Sequence, residues 1–250
     1  MSDWLLYSLV VLVGIVTGFI NTLAGSGSLL TLPLIIFMGL PANVANGTNR
    51  IAIVLQSIVG VTGFKRKNVF KLSEGLWLTI PASIGAIIGA FVAVDLNEKM
   101  LNRIIGVLLI IMFFLILYKP EKWLKLNTDN VKSKPSIITS VVFFAIGFYG
   151  GFIQAGVGYF LLGGLVLGAG YDLLKANAIK VLIVLVYTIF ALVVFIISKQ
   201  VDYFLGTILG VGSMLGAWIA THVAVKNGTT FIRWIILITL LIFAIKLLFF

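Results

Sequence analysis

The sequence contains no cysteine and a single histidine, His222, among its 250 residues. Disulfide bonds, thiolate nucleophiles, zinc clusters and haem ligation are therefore excluded, and we expect no cofactor. Charged residues make up 10% of the chain, and the acidic ones all lie in loops or at the ends of apolar segments. The sequence therefore offers neither a buried carboxylate for a proton relay nor the oxygen ligands of a divalent-cation site.

Apolar residues make up 61% of the chain, and the mean hydropathy is +1.19, which excludes a water-soluble fold. A bilayer core of about 30 Å takes roughly 20 apolar residues per helix. Nearly uncharged segments fall into two groups of five, and the second segment of each group is too short to span comfortably. They lie at residues 4–20, 29–38, 51–64, 76–94, 104–118, 137–153, 159–169, 178–198, 203–221 and 231–250.

The one long polar stretch, at residues 119–136, carries five lysines and divides the chain into a first repeat, 1–118, and a second, 137–250. An offset of 131 aligns residues 24–46 with 155–177, and eight of the 23 aligned positions are identical. The fourth segments share a GxxxG spacing, at Gly85 and Gly89 and at Gly212 and Gly216. These matches indicate an internal duplication. GxxxG faces permit a homo-oligomer but equally serve packing within one chain.

The net charge of +10 is best explained by membrane orientation, and we expect no nucleic-acid partner. An odd number of crossings per half inverts the second half and places 13 of the 18 Lys and Arg residues on one face. A parallel arrangement of the two halves gives a weaker bias, with 11 Lys and Arg residues on one face and 7 on the other. We therefore predict an all-α polytopic membrane protein of two inverted repeats that include half-helices or re-entrant segments. The termini lie outside and the basic linker in the cytoplasm.

Two glycine turns interrupt the apolar pattern just before the short segments. The first contains Gly25 and Gly27, and the second repeats it with Gly156 and Gly158. Opened backbone is costly in hydrocarbon, so we expect both breaks to be buried in protein or to face a water-filled cavity. If Ser28 starts the short helix, its N-terminal amides and dipole favour an anion there. The alternative is that these glycines serve close packing of helices.

A second polar cluster follows each short segment. Asn46 and Asn177 are aligned and suit either helix capping or hydrogen bonds to substrate oxygens. Arg50 and Lys180 lie within one position of equivalence and could attract an anion at the two mouths of a pathway, or could snorkel to the interface. The candidate substrate-binding residues are Gly25, Ser26, Gly27, Ser28, Asn46, Thr48, Asn49, Arg50, Gly156, Gly158, Tyr159, Asn177 and Lys180.

Three motifs in the first half, GSGSLLTLPL from Gly25, GLP from Gly39 and ANGTN from Ala45, resemble the signature of the TauE/SafE sulfite exporter family. This family is also called the toluene sulfonate uptake permeases. The resemblance implies an inner-membrane carrier of a bacterial or archaeal type for small sulfur-containing anions, including sulfite and sulfonates. The matching motif residues are Gly25, Gly27, Pro33, Gly47 and Thr48. Serines stand at 26 and 28 in place of a fuller glycine run, and the second copy lacks the proline and the Gly-Thr pair.

Residues and resemblance together suggest a secondary transporter of small sulfur oxyanions that works by alternating access in the cell inner membrane. Its expected partners are the anionic substrate and the lipid bilayer. An anion channel is the nearest alternative, since the same half-helix geometry can line a pore. A structural membrane protein is a further alternative. An intramembrane enzyme would need side chains for its chemistry that the sequence lacks.

Overall fold

The computed structural model describes residues 3–117 and 136–223 of the chain. The linker up to residue 135 and the apolar segment 231–250 lie outside these described residues. Within them every regular element is helical, and a π-helical turn, Gly164–Gly168, extends α7. The helices are α1 Asp3–Ala24, α2 Ser28–Phe37, α3 Ala42–Arg66, α4 Leu72–Asp95, α5 Glu98–Leu117, α6 Ile137–Phe152, α7 Val157–Gly163, α8 Leu173–Ile197 and α9 Tyr203–Val223.

Helix lengths in the described part of the chain fit a membrane protein with several crossings. Four stretches are long and apolar enough to span: Leu6–Ala24, Leu72–Asp95, Leu173–Ile197 and Tyr203–His222. By contrast, α2 has 10 residues and α7 has 7, followed by a π-helical turn of 5. At 1.5 Å per residue these reach only about 15–18 Å, well short of a bilayer core. The prediction that the second segment of each half is short is therefore confirmed.

The outer surface of α4 shows how the bundle meets lipid. Ile80, Ile84, Ile88 and Phe91 recur every three or four residues, and each is between 44% and 64% exposed. The opposite side of the same helix is small and buried, with Ala82, Ala86 and Ala90. A helix with a bulky apolar outer face and a small inner face suits contact with acyl chains outside and close helix packing inside.

Close packing joins the two halves through reciprocal helix pairs. Helix α4 packs along α6, where Gly85 and Gly89 lie against the carbonyls of Phe144 and Phe148. Helix α9 packs along α1 in the same manner: Gly212 and Gly216 lie against the carbonyls of Val11 and Ile15. The first helix of each half thus packs on the fourth helix of the other half. Both predicted GxxxG motifs serve packing within the chain, as small residues do where helix backbones approach closely.

Substituting Gly89 by alanine tests this packing. A Cβ at position 89 would collide with the carbonyl oxygen of Phe148, whereas a Cβ at Gly168 meets nothing within 4 Å. We expect Gly89→Ala to lower the free energy of unfolding in detergent by about 1–3 kcal/mol, since backbone cannot move aside as a side chain can. Gly168→Ala, the matched control, should be neutral. Equal stabilities of the two variants would show that α4 and α6 are not in backbone contact.

Helices α3 and α8 lie between these pairs and carry the polar residues into the middle of the protein. Helix α3 packs against α9 and α8, and α8 also packs against α4. Both helices are 25 residues long, and their fully buried side chains include Arg50 on α3 and Lys180 on α8. These two cations, which the sequence suggested at the mouths of a pathway or at the interface, are therefore inside the helical bundle.

Candidate functional site

The first break separates α1 from α2 at residues 25–27. Gly25 has φ +73°, a left-handed conformation that glycine adopts at little cost. The Gly27 N–H donates to Asn21 Oδ1 at 3.2 Å, so a side chain from α1 satisfies part of the opened backbone. Helix α2 begins at Ser28, and residues 25–30 are all buried. The expectation that this break is enclosed by protein is confirmed.

The second break, residues 153–156, separates α6 from α7 and reproduces the first. Gly156, the residue aligned with Gly25, also has φ +73°. Gln154 has φ +69°, which is uncommon for a residue with a side chain and is found where surrounding structure holds it in place. Its side chain is 2% exposed. Both helices are therefore interrupted at the positions that the sequence indicated.

The two breaks contact each other directly. The Gly158 N–H donates to the Gly25 carbonyl oxygen at 3.1 Å. A Cβ on either glycine would collide with backbone of the other. The start of α7 therefore crosses the break after α1, and backbone that would otherwise be orphaned in the membrane is paired across the two halves.

A methyl group added at Gly158 is expected to push apart the two breaks where they cross. Gly158→Ala should weaken the contact with Gly25 and lower the unfolding midpoint, because both partners at the clash are backbone atoms. Gly163→Ala, at the other end of α7 with nothing within 4 Å of the added Cβ, is the control. Thermal unfolding of both purified variants measures the difference, and a stable Gly158→Ala protein would contradict the described crossing.

Arg50 caps the end of the interrupted helix in the other half. Its guanidinium donates from Nη1 to the Gly150 carbonyl at 3.2 Å and from Nη2 to the Gly151 carbonyl at 2.5 Å. Weaker contacts of 3.4 Å reach Gln154 Oε1 and Asn46 Oδ1. Phe195 covers one face of the guanidinium, with its ring centroid 4.7 Å from Cζ. The cation therefore compensates the negative end of α6, where carbonyls lack helical partners.

Lys180 does the same for the interrupted helix of the first half. Its Nζ donates to the carbonyl oxygens of Asn21 at 3.3 Å and Thr22 at 3.2 Å, in the last turn of α1. A third bond, of 2.5 Å, goes to Asn177 Oδ1. Each half thus supplies a cation to the broken helix of its partner half. Neither cation lies at a mouth or snorkels, since Arg50 is 0% and Lys180 is 1% exposed.

No carboxylate contacts either buried cation among the residues that the structure describes. The one ion pair found in these ranges joins Lys175 to Glu74 at 2.9 Å, near the start of α4 and α8. Arg50 and Lys180 are instead surrounded by carbonyl, amide and aromatic groups. Two formal positive charges with neutral partners make the interior electropositive, which favours an anion. In residues 3–117 and 136–223, no three His, Asp or Glu side chains come together as a metal site.

A cavity of about 10 Å³ lies beside the crossing of the two breaks. This is room for about one water molecule. Three of the predicted residues line it: Gly25, Gly158 and Lys180. The complete lining is Asn21, Thr22, Gly25, Gln56, Ser57, Gln154, Val157, Gly158, Lys180, Val181 and Val184. The space beside the crossing is therefore small and partly polar.

The other predicted residues do not line this cavity. Ser26 and Ser28 are buried, and Ser26 Oγ has no hydrogen-bond partner in the structure. The Thr31 hydroxyl donates to Asn49 Oδ1 at 2.7 Å, which ties α2 to α3. Thr48 Oγ1 accepts from the Asp202 N–H at 2.8 Å, at the start of α9. Gly27 and Gly156 belong to the turns, and Tyr159 is half-buried in α7.

The two aligned asparagines do not cap the beginnings of their own helices. Asn46 lies within α3, and its Nδ2 donates to the Phe152 carbonyl at 2.7 Å. Asn177 lies within α8, whose N-terminal cap is Asp172, bound to the Lys175 N–H at 2.9 Å. Each asparagine instead works with the neighbouring cation at the end of a broken helix. This role depends on contacts between the halves, which local sequence does not reveal.

Eight lining residues were not among the predicted site residues, and five of these are polar: Asn21, Thr22, Gln56, Ser57 and Gln154. Asn21 and Thr22 belong to the polar run before the glycine turn, and that run was the available signal. No sequence signal marked Ser57, because a lone serine in an apolar helix usually forms a hydrogen bond within its own helix or to a neighbouring helix. Gln56 and Gln154 stood out as polar groups in apolar surroundings without being assigned to the site.

Comparison with known proteins shows the family to which the chain belongs. The model of the family described as "Sulfite exporter TauE/SafE" matches residues 10–247. The chain belongs to the sulfite exporter TauE/SafE family. It is a multi-pass membrane transporter and not an enzyme.

Relatives in this family share similarity over nearly their whole length. A "Probable membrane transporter protein ORF9" of Sinorhizobium sp is 29% identical over 234 residues, 93% of this chain and 88% of the relative. The "Probable membrane transporter protein YfcA" of Escherichia coli K12 is 28% identical over 246 residues, 98% of this chain and 90% of the relative. No solved structure matches the chain.

Proposed function

We propose that this TauE/SafE transporter carries small sulfur-containing oxyanions, such as sulfite or sulfonates, across the inner membrane. The observation that carries the proposal is the pair of buried cations, Arg50 and Lys180, which have only neutral partners in the described structure. A small anion is the ligand that such an interior attracts. The name of the matching family supports the choice of a sulfur oxyanion.

We further propose that the two halves are inverted repeats that alternate around the crossing of the breaks. Aligned glycines have similar backbone angles: Gly25 and Gly156 both have φ +73°, and Gly39 and Gly170 have +98° and +78°. Helix pairing is reciprocal, as are the cation caps. These correspondences support a two-fold relation, and discontinuous helices that meet at a central site are a feature of secondary transporters with inverted repeats. The excess of Lys and Arg in one set of loops supports outside termini.

Closure of the cavity favours a carrier over a channel. At about 10 Å³ the space beside Gly25 and Gly158 holds about one water molecule, too little for a sulfur oxyanion. A channel would need a continuous path through this point, whereas a carrier passes through a closed state and opens to each side in turn. Substrate entry in this proposal requires the contact between the two breaks to loosen.

Flux measurements in proteoliposomes test the proposal. Labelled sulfite and methanesulfonate should enter protein-containing vesicles with saturable kinetics. When the vesicles are preloaded with the unlabelled anion, the labelled anion should accumulate inside by exchange. Flux that never saturates, together with large single-channel currents, would instead favour a channel. If no small sulfur oxyanion moves and none raises the unfolding temperature, the proposed function is wrong.

A bulky residue at Ser26 should block transport. Ser26 is fully buried within the first break, next to Gly25, so a leucine there would fill space that the loosened crossing needs. We expect Ser26→Leu or Ser28→Leu to reduce sulfite flux by about a hundredfold or more, as misplacement by about 1 Å can do at a preorganised site. Ser8→Leu, at an exposed position on α1, is the control. Normal flux in a Ser26→Leu protein that inserts correctly would remove this residue from the site.

A further inference from the structure

We infer that the transport site takes singly charged oxyanions, of the sulfonate or hydrogensulfite type, and rejects dianions such as sulfate. The inference rests on the proposed function and defines the substrate class of the same site. Its starting point is an asymmetry: both cations are buried, but only Lys180 lines the cavity. An anion in the cavity would therefore contact one cation, Lys180, while Arg50 lies behind Gln154 and acts only at a longer distance.

The hydrogen-bond donors of Arg50 at its two terminal nitrogens are engaged away from the cavity, although its charge still adds to the positive interior. Its two terminal nitrogens share four acceptors, which are the Gly150 and Gly151 carbonyls and the side chains of Asn46 and Gln154. Phe195 occupies one face of the guanidinium. Arg50 is separated from the cavity by Gln154, which accepts from Nη1 and also lines the cavity. Arg50 is thus a positioning residue that holds Gln154 and the end of α6.

Lys180 is placed to bind an anion directly. Its bonds to the carbonyls of Asn21 and Thr22 are long, at 3.3 and 3.2 Å, and both of those residues line the cavity. An ammonium group has three donors, and the short bond to Asn177 Oδ1 uses one of them. An oxyanion that enters beside the carbonyls can therefore take over the other two donors, with a gain because a charged acceptor replaces neutral ones.

The rest of the described lining is neutral. Gln56, Ser57 and Gln154 offer amide and hydroxyl groups, and neither a carboxylate nor a second cation lines the cavity. A monoanion is balanced by the cation that it contacts, Lys180, whereas the second negative charge of a dianion would have no cation in direct contact with it. The Born energy rises with the square of the charge, so removing a dianion from water costs about four times as much as removing a monoanion of similar size.

A comparison of methanesulfonate with sulfate isolates this difference in charge. The two ions share a tetrahedral sulfur and three oxygens, and differ in carrying a methyl group or a charged fourth oxygen. In proteoliposomes we expect labelled methanesulfonate flux to exceed sulfate flux by about tenfold or more. Labelled sulfite should cross faster as the pH is lowered, because hydrogensulfite replaces the dianion, while methanesulfonate flux changes less over the same range.

The outcomes separate this inference from the proposed function. Sulfate flux equal to methanesulfonate flux, or sulfite flux that falls as the pH is lowered, would overturn the choice of monoanions while leaving oxyanion transport intact. If methanesulfonate, sulfite and sulfate all fail to move, the proposed function itself is wrong. If methanesulfonate is excluded because of its methyl group, the pH dependence of sulfite flux decides whether the site prefers monoanions.

A second cation placed in the cavity should shift the preference. Gln56→Lys adds a positive charge to the lining, and we expect it to raise the ratio of sulfate to methanesulfonate flux by about tenfold. Ser73→Lys adds the same charge at an exposed position and should leave the ratio unchanged. An unaltered ratio in a folded Gln56→Lys protein would contradict the inference. If that variant does not fold, the comparison of anions in the unmodified protein still decides.

Discussion

Replacement of Arg50 by methionine is expected to lower the free energy of unfolding by about 3–5 kcal/mol, a large fraction of the stability of an ordinary domain. Methionine fills much of the same space but donates no hydrogen bond. The carbonyls of Gly150 and Gly151 would then lose their partner in a region without water, and Gln154 would lose the contact that holds it. Unsatisfied buried acceptors account for most of the expected loss.

Two further variants distinguish this cap from general effects of charge. Arg103→Met removes an exposed arginine from α5 and should change the stability by less than about 0.5 kcal/mol. Arg50→Lys keeps the charge but loses the planar arrangement of donors that reaches both carbonyls, so an intermediate stability is expected. Chemical unfolding in mixed micelles measures all three. A stable Arg50→Met protein would show that the end of α6 does not depend on this cation.

Local features of the site could be predicted from sequence because they depend on neighbouring residues. Gly25 and Gly156 adopt left-handed conformations where the glycine turns interrupt the apolar pattern. Helix α2 starts at Ser28 because the turn before it ends there. The near-equivalence of Arg50 and Lys180 also reflects a real correspondence, since both cap broken helices. The offset of 131 links Gly25 to Gly156, and Arg50 and Lys180 are 130 positions apart, one position from that offset.

Contacts between the halves could not be predicted, because hydrophobic pattern does not specify which helix faces which. The sequence did not indicate that α1 packs on α9, or that Gly158 bonds to Gly25. It placed Arg50 and Lys180 at the mouths of a pathway, since isolated cations near helix ends usually reach water. The structure buries them because carbonyls from the opposite half take the place of water.

The choice of arginine at one cap and lysine at the other fits two different roles. A guanidinium has a rigid fork of donors and suits the fixed bridge between Gly150, Gly151 and Gln154. An ammonium group is compact and rotates its donors easily. This suits the proposed role of Lys180, whose donors must leave helix carbonyls and bind an anion. Each half therefore supplies a cation near the broken helix of the other half, and in our proposal the two cations perform different tasks.

Replacement of Lys180 by methionine should consequently abolish transport with a smaller loss of stability than at Arg50. The variant leaves the cavity lining without a charge, and we expect sulfite flux to fall by about a hundredfold or more, which corresponds to roughly 2.7 kcal/mol of lost binding.

The control for Lys180→Met is Lys99→Met, which removes an exposed lysine at the start of α5 and should transport normally. Lys180→Arg keeps the charge and should restore part of the flux. If the flux of Lys180→Met stays within about threefold of that of the unmodified protein, the lost binding energy is less than about 1 kcal/mol. This result would rule out Lys180 as the residue that binds the anion. The anion would then have to bind near Arg50, and the predicted preference for one negative charge would lose its physical basis.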